Sequence, residues 1–194
     1  RVIRQELAGA EFRSSVDRSP AALEALKAKG DSIRVVQLEG FIFFGTAYTL
    51  LTQIRQLMSR AGNVGLVRFL ILDFRDVPAS DSSAMSAFAK LHTYCQRDGC
   101  ELVFTHMNQT VEKQLKQAGL DPDILQVRFF EDLDFAMEYC EERILSEDQD
   151  SIAPANASIW DQIAAAMPKG TPFSSFMAYL QPRTYETGEL VLRQ

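Results

Sequence analysis

The feature that most constrains the fold is a run of apolar residues at 68–74, RFLILDF, which hardly alternates with polar residues. A strand with one face in water alternates apolar and polar side chains, whereas a nearly continuous apolar strand is covered on both faces. Sheets covered on both faces are typical of parallel α/β proteins, in which helices pack on each side. The run therefore predicts a central strand of an α/β fold.

Segments of strand type and helix type alternate around this run. Ser19 and Pro20 form a cap signal for a helix over Pro20–Lys29, which Gly30 ends, and Thr46 is expected to cap the next helix. Further strands are predicted at 33–38, 101–106 and 127–130. The predicted inward faces of the later helices carry Ala47, Leu50, Leu51, Ile54, Leu57 and Met58; Ala84, Phe88, Leu91 and Cys95; Val111, Leu115 and Ala118; and Leu133, Ala136, Met137, Cys140 and Ile144. Such repeated strand–helix units favour a mainly parallel central sheet covered by helices.

Composition excludes several classes of function. The net charge of −6 argues against nucleic-acid binding, which normally needs a basic face. Three cysteines without a C-x-x-C spacing fit a reducing compartment and small core or surface residues rather than disulfides or a zinc site. The longest apolar run, at 40–51, is too short to span a bilayer. We expect no signal peptide, and the missing initiator Met leads us to expect a longer parent chain.

Candidate functional residues follow the predicted strands, because ligands of open α/β sheets gather at the carboxyl ends of the strands. A serine nucleophile is improbable, since no G-x-S-x-G motif is present. His92 is expected to be partly buried or on the surface, and His106 has no evident acidic partner. The carboxylates of Asp73, Asp76 and Asp81 cluster near one loop, where helix capping and solvation explain them more simply than a bound cation. We predict no catalytic residue and no metal site.

The stretch ASDSSAMSAF, at 79–88, begins a helix and leaves three roles open for its serines. The helix N-terminus exposes backbone N–H groups that can receive a phosphate of a nucleotide or another anion. Covalent phosphorylation of Ser82 would add about 1.5 to 2 negative charges beside Asp81. Alternatively, Asp81 caps the helix, and Ser82, Ser83 and Ala84 are merely small enough for the helix to approach the sheet. Capping is compatible with either of the other two roles.

The stretch DFRDVPASDSSAMSAF, at 73–88, together with the order of elements, resembles the STAS domain. This domain is shared by bacterial anti-sigma-factor antagonists and the cytoplasmic tails of SulP anion transporters. The resemblance covers roughly 12–144 and implies the STAS fold without enzymatic activity. It also implies that Ser82, the first serine after Asp81, is the phosphorylation candidate, although Ala84 stands where the family has glycine.

Three further stretches resemble SulP-like proteins. GFIFFGTA, at 40–47, is similar to the segment after the first strand of SulP tails, and RSSVDRSP, at 13–20, is similar to their lead-in from the membrane domain. The last residues, 176–194, resemble the opening of a cyclic-nucleotide-binding domain without its phosphate-binding cassette. The implied organisation is a lead-in at 1–18, a STAS domain at 19–147, a linker at 148–160 and the truncated start of a cyclic-nucleotide-binding domain at 161–194.

The resemblance implies a regulatory domain on the cytoplasmic side of a cell membrane, as part of an integral membrane protein. Its partner would be the transmembrane transport domain of the same polypeptide, and a homodimer and a regulatory protein are further candidate partners. No cofactor is implied apart from a candidate nucleotide. The candidate contacts for a nucleotide or partner are Gly40, Phe41, Phe44, Asp76, Asp81, Ser82 and Ser83. The alternatives are a soluble anti-sigma-factor antagonist switched by phosphorylation of Ser82, and a small-molecule sensor that uses the same strand ends.

Overall fold

The computed structural model of the chain describes residues 2–61, 66–82, 84–125 and 127–149. The predicted cyclic-nucleotide-binding segment at 161–194 lies outside the described residues. The predicted linker at 148–160 also lies outside them, apart from its first two residues. Ser83, one of the candidate contact residues, is outside them as well.

The described chain forms a five-stranded sheet in which the strands follow the order β1-β2-β3-β4-β5. The first strand pairs antiparallel with the second, and the other three pairs are parallel. The strands are β1 (Ile3–Ala8), β2 (Ile33–Glu39), β3 (Phe69–Asp76), β4 (Glu101–Thr105) and β5 (Val127–Phe130). The predicted mainly parallel sheet is confirmed, and the apolar run forms its central strand.

Within the described residues, five α-helices connect and cover the strands. They are α1 (Pro20–Lys29), α2 (Phe44–Ala61), α3 (Met85–Arg97), α4 (Gln109–Gln117) and α5 (Leu133–Gln149), and a single turn of 3-10 helix at Gly30–Ser32 follows α1. The helix α1 begins as predicted, because the Ser19 hydroxyl accepts a hydrogen bond from the Ala22 N–H at 3.3 Å.

The prediction that Thr46 precedes and caps the second helix is wrong, because α2 already begins at Phe44. From within the first turn, the Thr46 hydroxyl accepts a hydrogen bond from the Phe43 N–H at 2.9 Å. A hydroxyl on the third residue of the helix, three positions after Phe43, can thus satisfy a free N–H group from inside the helix.

The helices divide unequally between the two faces of the sheet. Buried side chains of α2, α3 and α4 share one core with Leu70, Leu72 and Phe74, whereas α1 and α5 share the other with Phe69 and Ile71. Parallel crossovers are almost always right-handed, so three crossovers that each move one strand in the same direction place their helices on one face. The opposite face is left for α1 and α5. Both faces of β3 are therefore buried, as predicted.

The sequence does not predict β1, which falls within the segment expected to be the lead-in at 1–18. Its interior residues Arg4, Gln5 and Glu6 are exposed, as is usual for an edge strand, so no apolar alternation marks it. After β1 the chain passes so close to the turn following α1 that a side chain at Gly30 would lie 2.5 Å from the Ala10 nitrogen. Within the described residues, no helix is long and apolar enough to cross a membrane.

Candidate functional site

The loops that follow β2 and β3 are joined at the carboxyl edge of the sheet. Ile42 and Ser80 form an isolated parallel bridge. The Ile42 N–H donates a hydrogen bond to the Ala79 carbonyl at 3.2 Å, and the Asp81 N–H donates to the Ile42 carbonyl at 3.0 Å. The two loops therefore form one continuous surface, which we call the carboxyl-edge surface. The candidate contacts that lie on it or directly beside it are Gly40, Phe41, Phe44, Asp76, Asp81 and Ser82.

Asp81 caps the turn that leads into α3. Its Oδ1 atom accepts a hydrogen bond from the Ala84 N–H at 2.8 Å, and the Ser82 carbonyl accepts one from the Met85 N–H at 3.3 Å. Because Ala84 already has helical backbone angles, the capped turn is continuous with the helix. The predicted capping role of Asp81 is therefore confirmed for this turn, whereas the N-cap position of α3 itself is Ala84, which makes no side-chain cap. Ser82 is exposed on the outside of this turn.

Asp76 and Gly40 link β1, β2 and β3 at the same edge. The Asp76 carboxylate forms an ion pair with Arg4 of β1, and the Asp76 carbonyl accepts a hydrogen bond from the Gly40 N–H at 2.9 Å. Gly40 has φ of +76°, a left-handed backbone that a side chain would strain. Asp76 thus already has a cation partner, and Gly40 turns the chain away from the end of β2.

Four exposed aromatic side chains follow this turn. Phe41, Phe43, Phe44 and Tyr48 are 52%, 47%, 62% and 60% exposed, and we call them the aromatic patch. The sequence prediction included only Phe41 and Phe44, although four aromatic residues within eight positions are a visible signal. Large apolar side chains exposed close together are candidates for a surface that binds another molecule.

A buried carboxylate stands beneath the carboxyl-edge surface. Asp73 is 1% exposed, and its Oδ1 atom lies 2.8 Å from Nδ1 of His106. The Thr105 hydroxyl and the Arg75 backbone N–H donate hydrogen bonds to the same oxygen, at 3.3 and 3.1 Å. The expectation that His106 lacks an acidic partner is therefore wrong. Its left-handed backbone, φ of +53°, accompanies this arrangement and has no sequence signature.

Contacts on both ring nitrogens orient the imidazole of His106. Arg75 Nη2 lies 3.0 Å from His106 Nε2, and a guanidinium can only donate. The Nε2 atom is therefore the acceptor, and the proton on Nδ1 is donated to Asp73. The imidazole is thus held between the buried carboxylate of Asp73 and the exposed guanidinium of Arg75.

The arrangement offers no nucleophile to this histidine. Among the described residues, no serine hydroxyl or cysteine thiol forms a hydrogen bond with His106. Ser80, on the nearby loop, donates its hydroxyl to Gln114 Oε1 at 2.7 Å. His92 is buried, contrary to the expected partial or surface exposure, and its Nε2 atom has no partner in the described structure. Burial lowers the pKa of His92, so its neutral form is favoured.

The three carboxylates near this loop act separately rather than as a common ligand set. Asp73 accepts the hydrogen bond of His106, Asp76 pairs with Arg4, and Asp81 caps the turn before α3. Among the residues that the structure describes, no group of three or more histidine, cysteine, aspartate or glutamate residues is placed to hold a metal ion.

The family profile of the STAS domain matches residues 25–136, and the chain belongs to this family. The fold predicted from the sequence is confirmed.

The chain is similar to one curated transporter and to several solved structures. The vacuolar basic amino acid transporter VSB1 of Saccharomyces cerevisiae is 27% identical over 150 residues, which cover 74% of this chain and 14% of the transporter. Among solved structures, a sulfate transporter family protein from Wolinella succinogenes has 21% identity and a TM-score of 0.49, over 59% of this chain and 88% of that one. A putative anti-sigma factor antagonist from Thermotoga maritima has 17% identity and a TM-score of 0.47, over 56% and 87%.

Proposed function

We propose that this STAS domain is a cytoplasmic regulatory domain of a SulP-like membrane transporter and binds the transport domain of the same polypeptide through the carboxyl-edge surface. The observation that carries this proposal is the aromatic patch directly beside the Ser82 turn. Aromatic side chains are enriched at the centres of protein interfaces, because they bury much area with few rotatable bonds. Four of them exposed together fit a surface that is covered in the complete protein.

Further support comes from the yeast relative, which is named as a transporter. The chain spans about one seventh of the length of that relative, so most of the relative's chain lies outside the match. A regulatory domain of this size, linked to a much longer membrane part, would meet its partner at high effective concentration. Selection of the transported solute would then reside in the membrane part rather than in this domain.

Regulation requires that the domain contact two transport states differently, since a partner that binds both states equally shifts neither. Phosphorylation of Ser82 would provide such a difference. It would add about 1.5 to 2 negative charges next to Asp81 and within the surface proposed to dock. A nucleotide bound between the patch and the turn before α3 would act at the same place, through its phosphate and its base.

The test uses the complete transporter reconstituted in vesicles. The double substitution Phe41→Ala and Phe44→Ala should change the transport rate at least several-fold, because it removes two central side chains of the docking surface. Phe135→Ala is the matched control. Phe135 is 54% exposed on α5, which packs on the opposite face of the sheet, and its loss should leave the rate unchanged. Equal effects of the patch and the control substitutions would overturn the proposal.

The alternative is a soluble anti-sigma-factor antagonist that loses its partner when Ser82 is phosphorylated. The exposed position of Ser82 beside the capped turn favours it equally. Alkaline extraction of membranes separates the two functions. Retention of the intact gene product in the extracted membranes supports the transporter, and its release as a protein of about the size of this chain supports the antagonist.

A further inference from the structure

Two consecutive serines fasten the segment between β1 and α1 to helix α5. The Ser14 N–H and hydroxyl donate to Oε1 and Oε2 of Glu141, at 2.9 and 2.6 Å. The Ser15 N–H and hydroxyl donate to Oδ1 and Oδ2 of Asp134, at 2.8 and 2.6 Å. Each serine thus binds both oxygens of one carboxylate. We call residues 10–18 the strap and the two serine–carboxylate pairs the latch.

The two halves of the latch have different environments. The inner half is largely buried, since Glu141 also pairs with Arg18 at 3.0 Å and their side chains are only 3% and 10% exposed. The outer half is exposed, because both Ser15 and its hydrogen bonds to Asp134 face solvent. Among the ion pairs of the described residues, none supplies a cation to Asp134. The outer half therefore depends on the two hydrogen atoms that Ser15 donates.

We propose that Ser15 is a phosphorylation site and that its modification opens the strap. In this step a kinase transfers the γ-phosphoryl group of a nucleoside triphosphate to Ser15 Oγ. The bond from the γ-phosphorus to the nucleoside diphosphate breaks, a new P–O bond forms, and the hydroxyl proton is released. The product carries about 1.5 to 2 negative charges and has no hydroxyl hydrogen left for Asp134.

The charges around the N-terminus of α5 determine the direction of the effect. A helix N-terminus carries roughly half a positive charge and would by itself attract a phosphate. Here three carboxylates already surround it: Glu131 precedes it, Asp132 caps it by accepting the Phe135 N–H at 3.0 Å, and Asp134 lies in the first turn. The local charge is thus negative before modification. A phosphate on Ser15 would be repelled by Asp134 at hydrogen-bonding distance.

Opening of the strap would uncover groups that are buried when it is closed. Phe12 packs against the core shared by α1 and α5, and Arg18 is the buried partner of Glu141. An Nη2 atom of Arg18 is already without a hydrogen-bond partner within the described structure, so this contact is incompletely satisfied. The inference does not depend on the proposed function, because the strap and α5 both belong to the described domain.

The first experiment measures hydrogen exchange of the strap in the full chain with phosphoserine incorporated at position 15. The amides of Ser14 and Ser15 should exchange at least about tenfold faster than in the unmodified chain, because their charge-assisted bonds are lost. Phosphoserine at position 19 is the matched control. The Ser19 hydroxyl caps α1, where the helix dipole accommodates a phosphate, so the strap should remain protected. Unchanged protection with phosphoserine at 15, or equal loss with phosphoserine at 19, would overturn the proposal.

A second variant tests whether repulsion is the cause. In Asp134→Asn, the side chain keeps an acceptor oxygen but loses its charge, so phosphoserine at 15 should accelerate exchange several-fold less than in the parent chain. An undiminished acceleration would exclude repulsion by Asp134. Mass-spectrometric mapping of phosphate on the protein isolated from its own cells tests the modification itself. Phosphate at Ser15 supports the proposal, and phosphate found only on other serines contradicts it.

Discussion

The imidazole of His106 donates its Nδ1 hydrogen to the buried carboxylate of Asp73, with 2.8 Å between the two heavy atoms. This pair joins β3 to the residue that directly follows β4, and the two strands are neighbours in the sheet. The same Asp73 oxygen accepts hydrogen bonds from Thr105 and from the Arg75 backbone. One buried carboxylate thus connects β3 with the end of β4 through hydrogen bonds, directly beneath the carboxyl-edge surface.

Replacement of this carboxylate should destabilise the domain. We expect Asp73→Asn to lower the free energy of unfolding by about 1 to 3 kcal/mol, because a neutral amide weakens the charge-assisted bonds and brings an extra buried N–H group. Asp76→Asn is the matched control, since it removes only the exposed ion pair with Arg4, which we expect to contribute less than about 1 kcal/mol. Urea unfolding monitored by circular dichroism measures both. A smaller loss for Asp73→Asn than for Asp76→Asn would contradict the assigned network.

Burial of His92 should make the domain less stable in mild acid. Burial lowers the pKa of His92 below its ordinary value of 6.5, so the unfolded chain binds a proton more readily than the folded one. Stability should therefore decrease as the pH falls from 6.5 towards the lowered pKa, and no further below it. Urea unfolding at several pH values, compared between the parent chain and His92→Leu, isolates this effect because other groups cancel. The leucine variant should have a flatter pH profile, and identical profiles would exclude the effect.

The cap at the Ser82 turn gives a prediction about stability. We expect Asp81→Ala to lower the free energy of unfolding by about 0.5 to 2 kcal/mol, because the Ala84 N–H loses its side-chain acceptor and keeps only the backbone carbonyl of residue 81, at 3.2 Å. Asn108→Ala should have a similar effect, since Asn108 caps α4 through the Val111 N–H at 3.0 Å. Ser82→Ala should change stability by less than about 0.5 kcal/mol, because its side chain is exposed. Thermal unfolding measures all three, and a large loss for Ser82→Ala would give that serine a structural role.

The three cysteines should be unreactive in the folded domain. All three side chains are buried, and burial raises the pKa of Cys140, so its reactive thiolate is rare. The pKa of Cys100 is also raised, first by a hydrogen bond with Cys95 and then by burial. An aromatic disulfide reagent should therefore titrate no thiol rapidly in buffer and all three in urea. Rapid reaction of any cysteine in buffer would show that its part of the core opens.

Much of the fold can be predicted because its signals are local. The bounds of α1 and β5 match the predicted ones. Ser-Pro marks the start of α1 and Gly its end, and a short apolar run defines β5. The strand β1 cannot be recognised in this way, because an edge strand with three exposed interior residues lacks the alternation of a buried one. Local signals identify elements that bury a face, and they fail where pairing alone defines the element.

The candidate site is only partly predictable for the same reason. Parallel strand order brings the loops after β2 and β3 to one edge, so Phe41, Phe44 and Ser82 could be named from the sequence. The contact of His106 with Asp73 depends on a left-handed backbone at the histidine. The latch joins Ser14 to Glu141, 127 residues further along the chain, and nothing in either neighbourhood indicates the other.

Strand order that follows chain order has a consequence for how the domain is made. During synthesis, each strand after β1 leaves the ribosome when its neighbour in the sheet has already emerged, so pairing can proceed without waiting for later sequence. The helix α5 is different, because it is the last described element and covers much of the face formed by Phe69, Ile71 and Val103. Until α5 emerges, that apolar face lacks its main cover and remains open to chaperones. That face of the nascent domain is therefore fully covered only after residues 133–149 have been synthesised.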